Sequence, residues 1–335
     1  MSMEFISKLY RDFRMANTQL AFDDLGRQPE PEPRGTALRA VQDRRKPLTV
    51  AYIAGDGRSG STLLDRLIGT YPGTFSCGEL GNLLQSIASP DEFCACGSRA
   101  QDCSFWRDVV ARWSASVPDF TEREYRSLQR RYERLRSLLR PFDELSFDRP
   151  QFARYAEYTQ ALFIAISELS GASVIVDSSK NPARALALSR VPGLDVRMLH
   201  LVRDVRGVAY SLRKSKRRNN LRFAGTWAAI NYCCERVRPK ILGPNLFLRY
   251  EDYTADLDGT LGQLAELLGT ERIGFEESTS HLMKQGHQVA GNDARMRPVQ
   301  KISTDEIWRS QFGFGLQKGL YLLVLPLMLR YRYRP

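Results

Sequence analysis

One stretch constrains this chain more than any other. Leu48-Thr49-Val50-Ala51-Tyr52-Ile53-Ala54 runs straight into Gly55-Asp56-Gly57-Arg58-Ser59-Gly60-Ser61-Thr62. A short apolar run rich in β-formers, closed by a glycine turn, reads as a buried strand. Leu63, Leu64, Leu67 and Ile68 then share one helical face, which predicts a helix over residues 61–71. A strand, a Gly-rich turn and a helix in that order place backbone N–H groups and a helix N-terminus around one point, which suits an anion. The spacing imitates the nucleotide phosphate loop, with Gly55, four residues, then Gly60. Where that loop carries lysine before Ser/Thr, this chain has Ser61. Arg58 supplies a cation at a different position.

The rest of the chain repeats the unit. Buried-strand patterns at residues 173–177, 196–202 and 245–250 are each followed by helical ones, at 182–190, 205–217 and 257–268. Alternation of this kind predicts an α/β fold, a P-loop-like parallel sheet flanked by helices, with ligands at the carboxyl ends of the strands. A helical insertion is expected over about 104–170, where Tyr125, Leu128, Tyr132, Leu135 and Leu139 keep a three/four spacing among many arginines. With 43% hydrophobic and 26% charged residues in 335, collagen-like, low-complexity and wholly disordered chains are excluded. The formal charge of +11 suits an anionic partner without choosing one.

A second phosphate signal is Arg203 at the end of a strand, with Ser211 eight residues on, about two helical turns into the next element. The two side chains can converge on one phosphate group; Arg203 can equally pair with Asp204 or Asp177. Cys77-Gly78-Glu79, Asp177-Ser178-Ser179-Lys180-Asn181-Pro182 and His287-Gln288-Val289-Ala290-Gly291-Asn292-Asp293-Ala294-Arg295 stand in series with these two sites.

Taken together, from Thr49 onward, the chain resembles the sulfotransferases that use 3′-phosphoadenosine 5′-phosphosulfate (PAPS), with motifs like those of bacterial members and of the tyrosylprotein branch. The resemblance implies the roles. Arg58 would neutralise the 5′-phosphate, and Gly57, Ser59, Gly60, Ser61 and Thr62 would hold it through backbone and hydroxyl donors. Arg203 and Ser211 would grip the 3′-phosphate, with Asn292 and Arg295 in a C-terminal loop closing over it; Asp293 departs from the family's commoner Gly-Asn-Pro. Glu79 would be the base and Lys180 would face the sulfuryl group. No metal is required by this chemistry, and none is assigned. The implied acceptor carries a hydroxyl, on a carbohydrate, a small metabolite or a tyrosine. The competing readings are a P-loop nucleotide kinase and a basic nucleic-acid-binding protein resting on the arginine-rich insertion; specific nucleic-acid binding is not expected.

Other stretches take a structural reading. Residues 1–46 form an N-terminal extension in which Phe5, Leu9, Tyr10 and Phe13 predict a short amphipathic helix, and alternating prolines at 29, 31 and 33 an extended linker. The sulfotransferase-like domain then occupies 47–335. Among three histidines, His200 alternates with apolar neighbours in a strand and reads as packed, His281 has no assigned role, and His287 is the alternative base. Trp227 and Tyr232 suit adenine stacking and core packing alike. Cys94, Cys96 and Cys103 could bind zinc with Cys77 or an outside ligand, but reduced thiols or a local disulfide are the expected state. Six cysteines and no signal-peptide pattern point to the cytoplasm. The apolar-then-basic 320–334 stretch is expected to pack on the domain, with weak peripheral membrane contact as the other reading. No apolar run reaches the ~20 residues of a membrane span.

Overall fold

The computed structural model describes residues 47–139, 147, 149–214, 220–274, 286–297 and 302–335. The expected N-terminal helix and proline linker lie outside them, as does His281.

Five parallel strands make one sheet in the order β2-β3-β1-β4-β5: β1 Leu48–Gly55, β2 Thr74–Ser76, β3 Val174–Lys180, β4 Leu194–Val202 and β5 Asn245–Arg249. β1 is central, and its interior is buried on both faces as its unbroken apolar run requires. Val50, Tyr52 and Ala54 enter one core layer, while Ala51 and Ile53 enter the other. Because β1 pairs with β3 on one side and β4 on the other, strand order reverses across it. The crevice beyond its carboxyl end is therefore the switch point where open α/β sheets bind ligands.

The helices follow the sequence pattern with shifted ends. α1 (Ser61–Ile68) stops earlier than expected, because the Thr70 hydroxyl bonds back to the Leu67 carbonyl and Gly69 and Thr70 turn the chain toward β2. β2 has no sequence signature: three residues are too few to show a period. Glu79 opens a single tight turn, Leu80–Asn82, before α2 (Leu83–Ala88), rather than one continuous helix.

The insertion consists of α3 (Ser104–Ser116), α4 (Glu122–Tyr132) and α5 (Pro150–Ser170). Thr121 caps α4 by accepting from the Glu124 N–H at 3.2 Å. Trp113, Tyr125 and Tyr158 pack at its centre. Several of its arginines are paired with acids: Arg154 with Glu124 and Glu157, Arg126 with Glu122, and Arg112 with Glu168.

After β3 come α6 (Pro182–Leu188), α7 (Val205–Lys214) and α8 (Asn220–Val237) around β4. α9 (Tyr250–Ala255) and α10 (Leu257–Leu268) follow β5. The chain ends in α11 (Trp308–Gln311), α12 (Phe314–Leu323) and α13 (Leu325–Arg330). Leu320, Tyr321, Val324, Leu327, Met328, Tyr331 and Tyr333 are buried against α7 and α8, so this stretch packs on the domain. Among the described residues, no helix is long and apolar enough to cross a membrane.

Candidate active site

The loop between β1 and α1 is shaped by close approach. A Cβ at Gly55 would lie 2.1 Å from the Leu201 carbonyl oxygen, and one at Gly60 would strike the Tyr250 ring and the Tyr253 hydroxyl. Gly60 caps α1 in the left-handed region, so no side chain occupies the helix N-terminus. Ser59 is buried and its hydroxyl has no partner among the described residues.

Arg58, Arg203 and Ser211 meet at one corner. The Arg58 Nε–H donates to Ser211 Oγ at 3.1 Å, and Arg203 Nη1 donates to the Arg58 carbonyl at 3.2 Å. Arg203 lies over the Tyr250 ring and pairs with Asp305 at 3.2 Å, which fixes the guanidinium plane; its Nε–H has no partner among the described residues. Neither Asp204 nor Asp177, the alternative partners, engages Arg203: Asp204 pairs with Arg206 and Asp177 with Arg184. Trp227, suited on sequence to adenine, is instead buried in the core and donates its indole N–H to the Arg203 carbonyl.

The second corner lies beyond β3. Lys180 and Glu79 form an ion pair, and both side chains are partly open, at 19% and 14% exposure, so the pair faces a cleft rather than the core. Thr62, Asp65, Gly78, Glu79, Ser178, Gln288, Ala290, Gly291 and Arg295 line that cleft. Asn82 donates to the second Glu79 oxygen at 3.0 Å. The Glu79 N–H reaches the Val289 carbonyl, and the Val289 N–H reaches that of Cys77, so residues 288–291 lie as a short strand along the glutamate. Gly291 is required there, since a Cβ would stand 2.5 Å from Glu79 Oε1.

Three of the five non-glycine residues with positive φ among the described residues are Arg58, Lys180 and Ala290, all at these corners. A left-handed backbone at a non-glycine residue costs energy and persists only where the surrounding structure holds it.

Neither Asn292 nor Arg295 makes a hydrogen bond or ion pair with Arg203 or Ser211. Asn292 caps its own turn by accepting from the Ala294 N–H, and Arg295 bonds to Glu92 and the Phe93 carbonyl while lining the Glu79 cleft. The 303–305 segment also reaches the first corner: Asp305 pairs with Arg203, and the Tyr250 hydroxyl meets Ser303 and Asp305 backbone.

Several supporting residues have no sequence signal. Beneath the second corner, Arg184 is fully buried between Asp177 and Glu133. Asp177 in turn holds the Ser179 N–H and hydroxyl, while Asn181 donates to the Glu133 carbonyl, so this ion triad fixes the end of β3 from Ser178 to Asn181. Glu133, an acid of the arginine-rich insertion, has its side chain largely buried, which raises its pKa. Asp56 and Asp65 lie beneath the loop and α1; burial pushes each up to about 7, opposed by hydrogen bonds from Gly57 and Ser178 respectively and by the Lys180 charge.

The histidines divide as follows. His200 is buried against Asn231 and lowered to about 4 by desolvation, a packed residue as expected. His287, the alternative base, is turned to Cys94 and Cys103 instead of the cleft.

No protein-family model and no curated protein matches the chain. Solved structures do. A sulfotransferase domain from the Synechococcus PCC 7002 olefin synthase is 19% identical, with 88% of this chain and 98% of that one covered at a TM-score of 0.49. A sulfotransferase domain from the curacin biosynthetic pathway is 15% identical over 87% of this chain and 99% of that one, at 0.47. A Mycobacterium avium sulfotransferase is 11% identical over 87% and 78%, also at 0.47. Over most of its length, this chain is similar to solved sulfotransferase structures.

Proposed function

We propose that this protein transfers a sulfuryl group from PAPS to a hydroxyl of an acceptor, releasing adenosine 3′,5′-bisphosphate. The observation that carries the reading is the pairing of Glu79 with Lys180 beside a β1–α1 phosphate loop whose Arg58 meets Arg203 and Ser211. The first corner offers two guanidinium groups and a hydroxyl to a nucleotide with two phosphate positions. A bound phosphate takes the place of the Asp305 carboxylate at Arg203 and satisfies the Nε–H. Ser59, Ser61 and Thr62, with the N-terminus of α1 behind them, hold the 5′-phosphate.

At the second corner Glu79 accepts the acceptor hydroxyl proton as the oxygen attacks sulfur. The new O–S bond forms while the bond from sulfur to the 5′-phosphate oxygen breaks, and that oxygen leaves with its electron pair. Lys180 exchanges its contact with Glu79 for the sulfuryl oxygens and the leaving oxygen, covering charge as it develops. Arg295 stands on the acceptor side of the cleft and helps to hold the acceptor, rather than the 3′-phosphate.

The test is ligand-dependent melting followed by a transfer assay. Adenosine 3′,5′-bisphosphate is expected to raise Tm without added metal, and well above any rise from ATP with Mg²⁺. Incubation with PAPS and a panel of sugars, phenols and tyrosine peptides then yields a sulfated product by mass spectrometry. Equal Tm rises from both nucleotides, with phosphate transfer from ATP, would establish the kinase reading instead.

A further inference from the structure

A side-chain cluster outside the proposed reaction has the composition of a metal centre. Cys94, Cys96 and Cys103 are free thiols, and with His287 they bring three Sγ atoms and Nδ1 within 4.8 Å of one another. Cys94 Sγ lies 3.8 Å from His287 Nδ1, Cys103 Sγ lies 3.3 Å from the same nitrogen, and Cys96 Sγ lies 3.8 Å from Cys103 Sγ. A tetrahedral zinc ion with sulfur at about 2.3 Å and nitrogen at about 2.0–2.1 Å spaces its ligands about 3.5–3.8 Å apart. Three of the six spacings already stand near those edges, and all six lie within 4.8 Å.

Gly97, at φ +92°, turns the chain after the Cys-x-Cys pair, and the Cys94 N–H closes the loop on the Ser98 carbonyl. His287 is held as a metal ligand would be: Phe105 stacks on its ring at 4.9 Å and the Trp106 indole donates to its carbonyl at 2.6 Å. Cys77, which the sequence offered beside an outside residue as fourth ligand, lies in the hydrophobic core.

We propose that Cys94, Cys96, Cys103 and His287 bind one structural Zn²⁺. Four protein ligands close the coordination sphere, so the ion holds structure and does no chemistry. Three thiols lose their protons to solvent on binding. The ligands come from two segments far apart in sequence. The zinc therefore fastens residues 94–103 and the start of α3 to residue 287, from which 288–291 run along Glu79. The assignment stands whether or not the chain transfers sulfate.

The untagged full chain, produced with zinc in the medium and purified under reducing conditions without chelator, is expected to contain one zinc per chain by elemental analysis. Exchange into Co²⁺ should give the intense visible bands of tetrahedral thiolate coordination. Cys96→Ser and His287→Ala should each weaken metal retention and alter the cobalt spectrum. Should either variant fail to fold, the wild-type stoichiometry and cobalt spectrum still decide. A folded wild-type chain that takes up no zinc on dialysis, or an intact mass showing a Cys96–Cys103 disulfide in the folded protein, would overturn the proposal.

Discussion

The two corners of the candidate site are built in different ways. The Arg58–Arg203–Ser211 corner rests on two short stretches, each a strand end followed by a helix, on the adjacent strands β1 and β4. Its geometry follows from the βα unit, and residues a few positions apart suffice to write it. The Glu79–Lys180 corner is assembled from four regions: the end of β2, the end of β3, the 288–291 segment and, through Glu133, the helical insertion. The first corner is local and the second is a convergence. Binding groups can be carried on one repeated motif, whereas a reacting pair has to be locked by neighbours from distant parts of the chain.

That contrast can be broken most sharply at Glu79. Glu79→Gln keeps the size of the side chain and its contact with Asn82 but cannot take a proton. Turnover with an identified acceptor should fall by about 10²–10⁴, while adenosine 3′,5′-bisphosphate affinity stays as in the wild type. Near-normal turnover would remove the base from this corner.

A second variant probes the support beneath it. Glu133→Ala leaves the buried Arg184 with Asp177 alone, and losing a partner from a buried pair costs about 3–5 kcal/mol. Chemical denaturation should show that loss. At temperatures where the variant remains folded, transfer should slow more than bisphosphate binding weakens, because the triad fixes the end of β3 and not the β1 loop. An equal loss at both corners would mean that they are one cooperative unit.

The smallest effect belongs to the other corner. Arg203→Ala removes a charge-assisted partner worth roughly 1.5–3 kcal/mol, or about ten- to a hundredfold in bisphosphate affinity by calorimetry. Transfer at saturating PAPS should be much less affected. Unchanged affinity would take Arg203 out of the nucleotide site.

Much of this arrangement is legible in the sequence, for identifiable reasons. The β1 strand, its glycine loop and α1 are visible because apolar period and turn chemistry act over neighbouring residues. β3, β4 and β5 are readable on the same grounds, and the interval from Arg203 to Ser211 is enough to put both on one strand-to-helix turn. Glu79 and Lys180 are singled out by motif resemblance alone; nothing in their local pattern says that they touch. β2, at three residues, leaves no period to detect.

What only the tertiary structure decided is which distant residues meet. His287 reads in sequence as a spare base, yet it stands with three cysteines 184 or more positions away. Glu133 reads as one more solvated acid on an arginine-rich helix, yet its side chain is largely buried on Arg184. Arg295 lines the Glu79 cleft, and Asp305, nowhere signalled in the sequence, pairs with Arg203. Local pattern determines secondary structure because backbone geometry and burial period are properties of a short stretch. Which charges and ligands meet depends on how sheet order and loop lengths bring separate stretches together, and no window of the sequence contains that information.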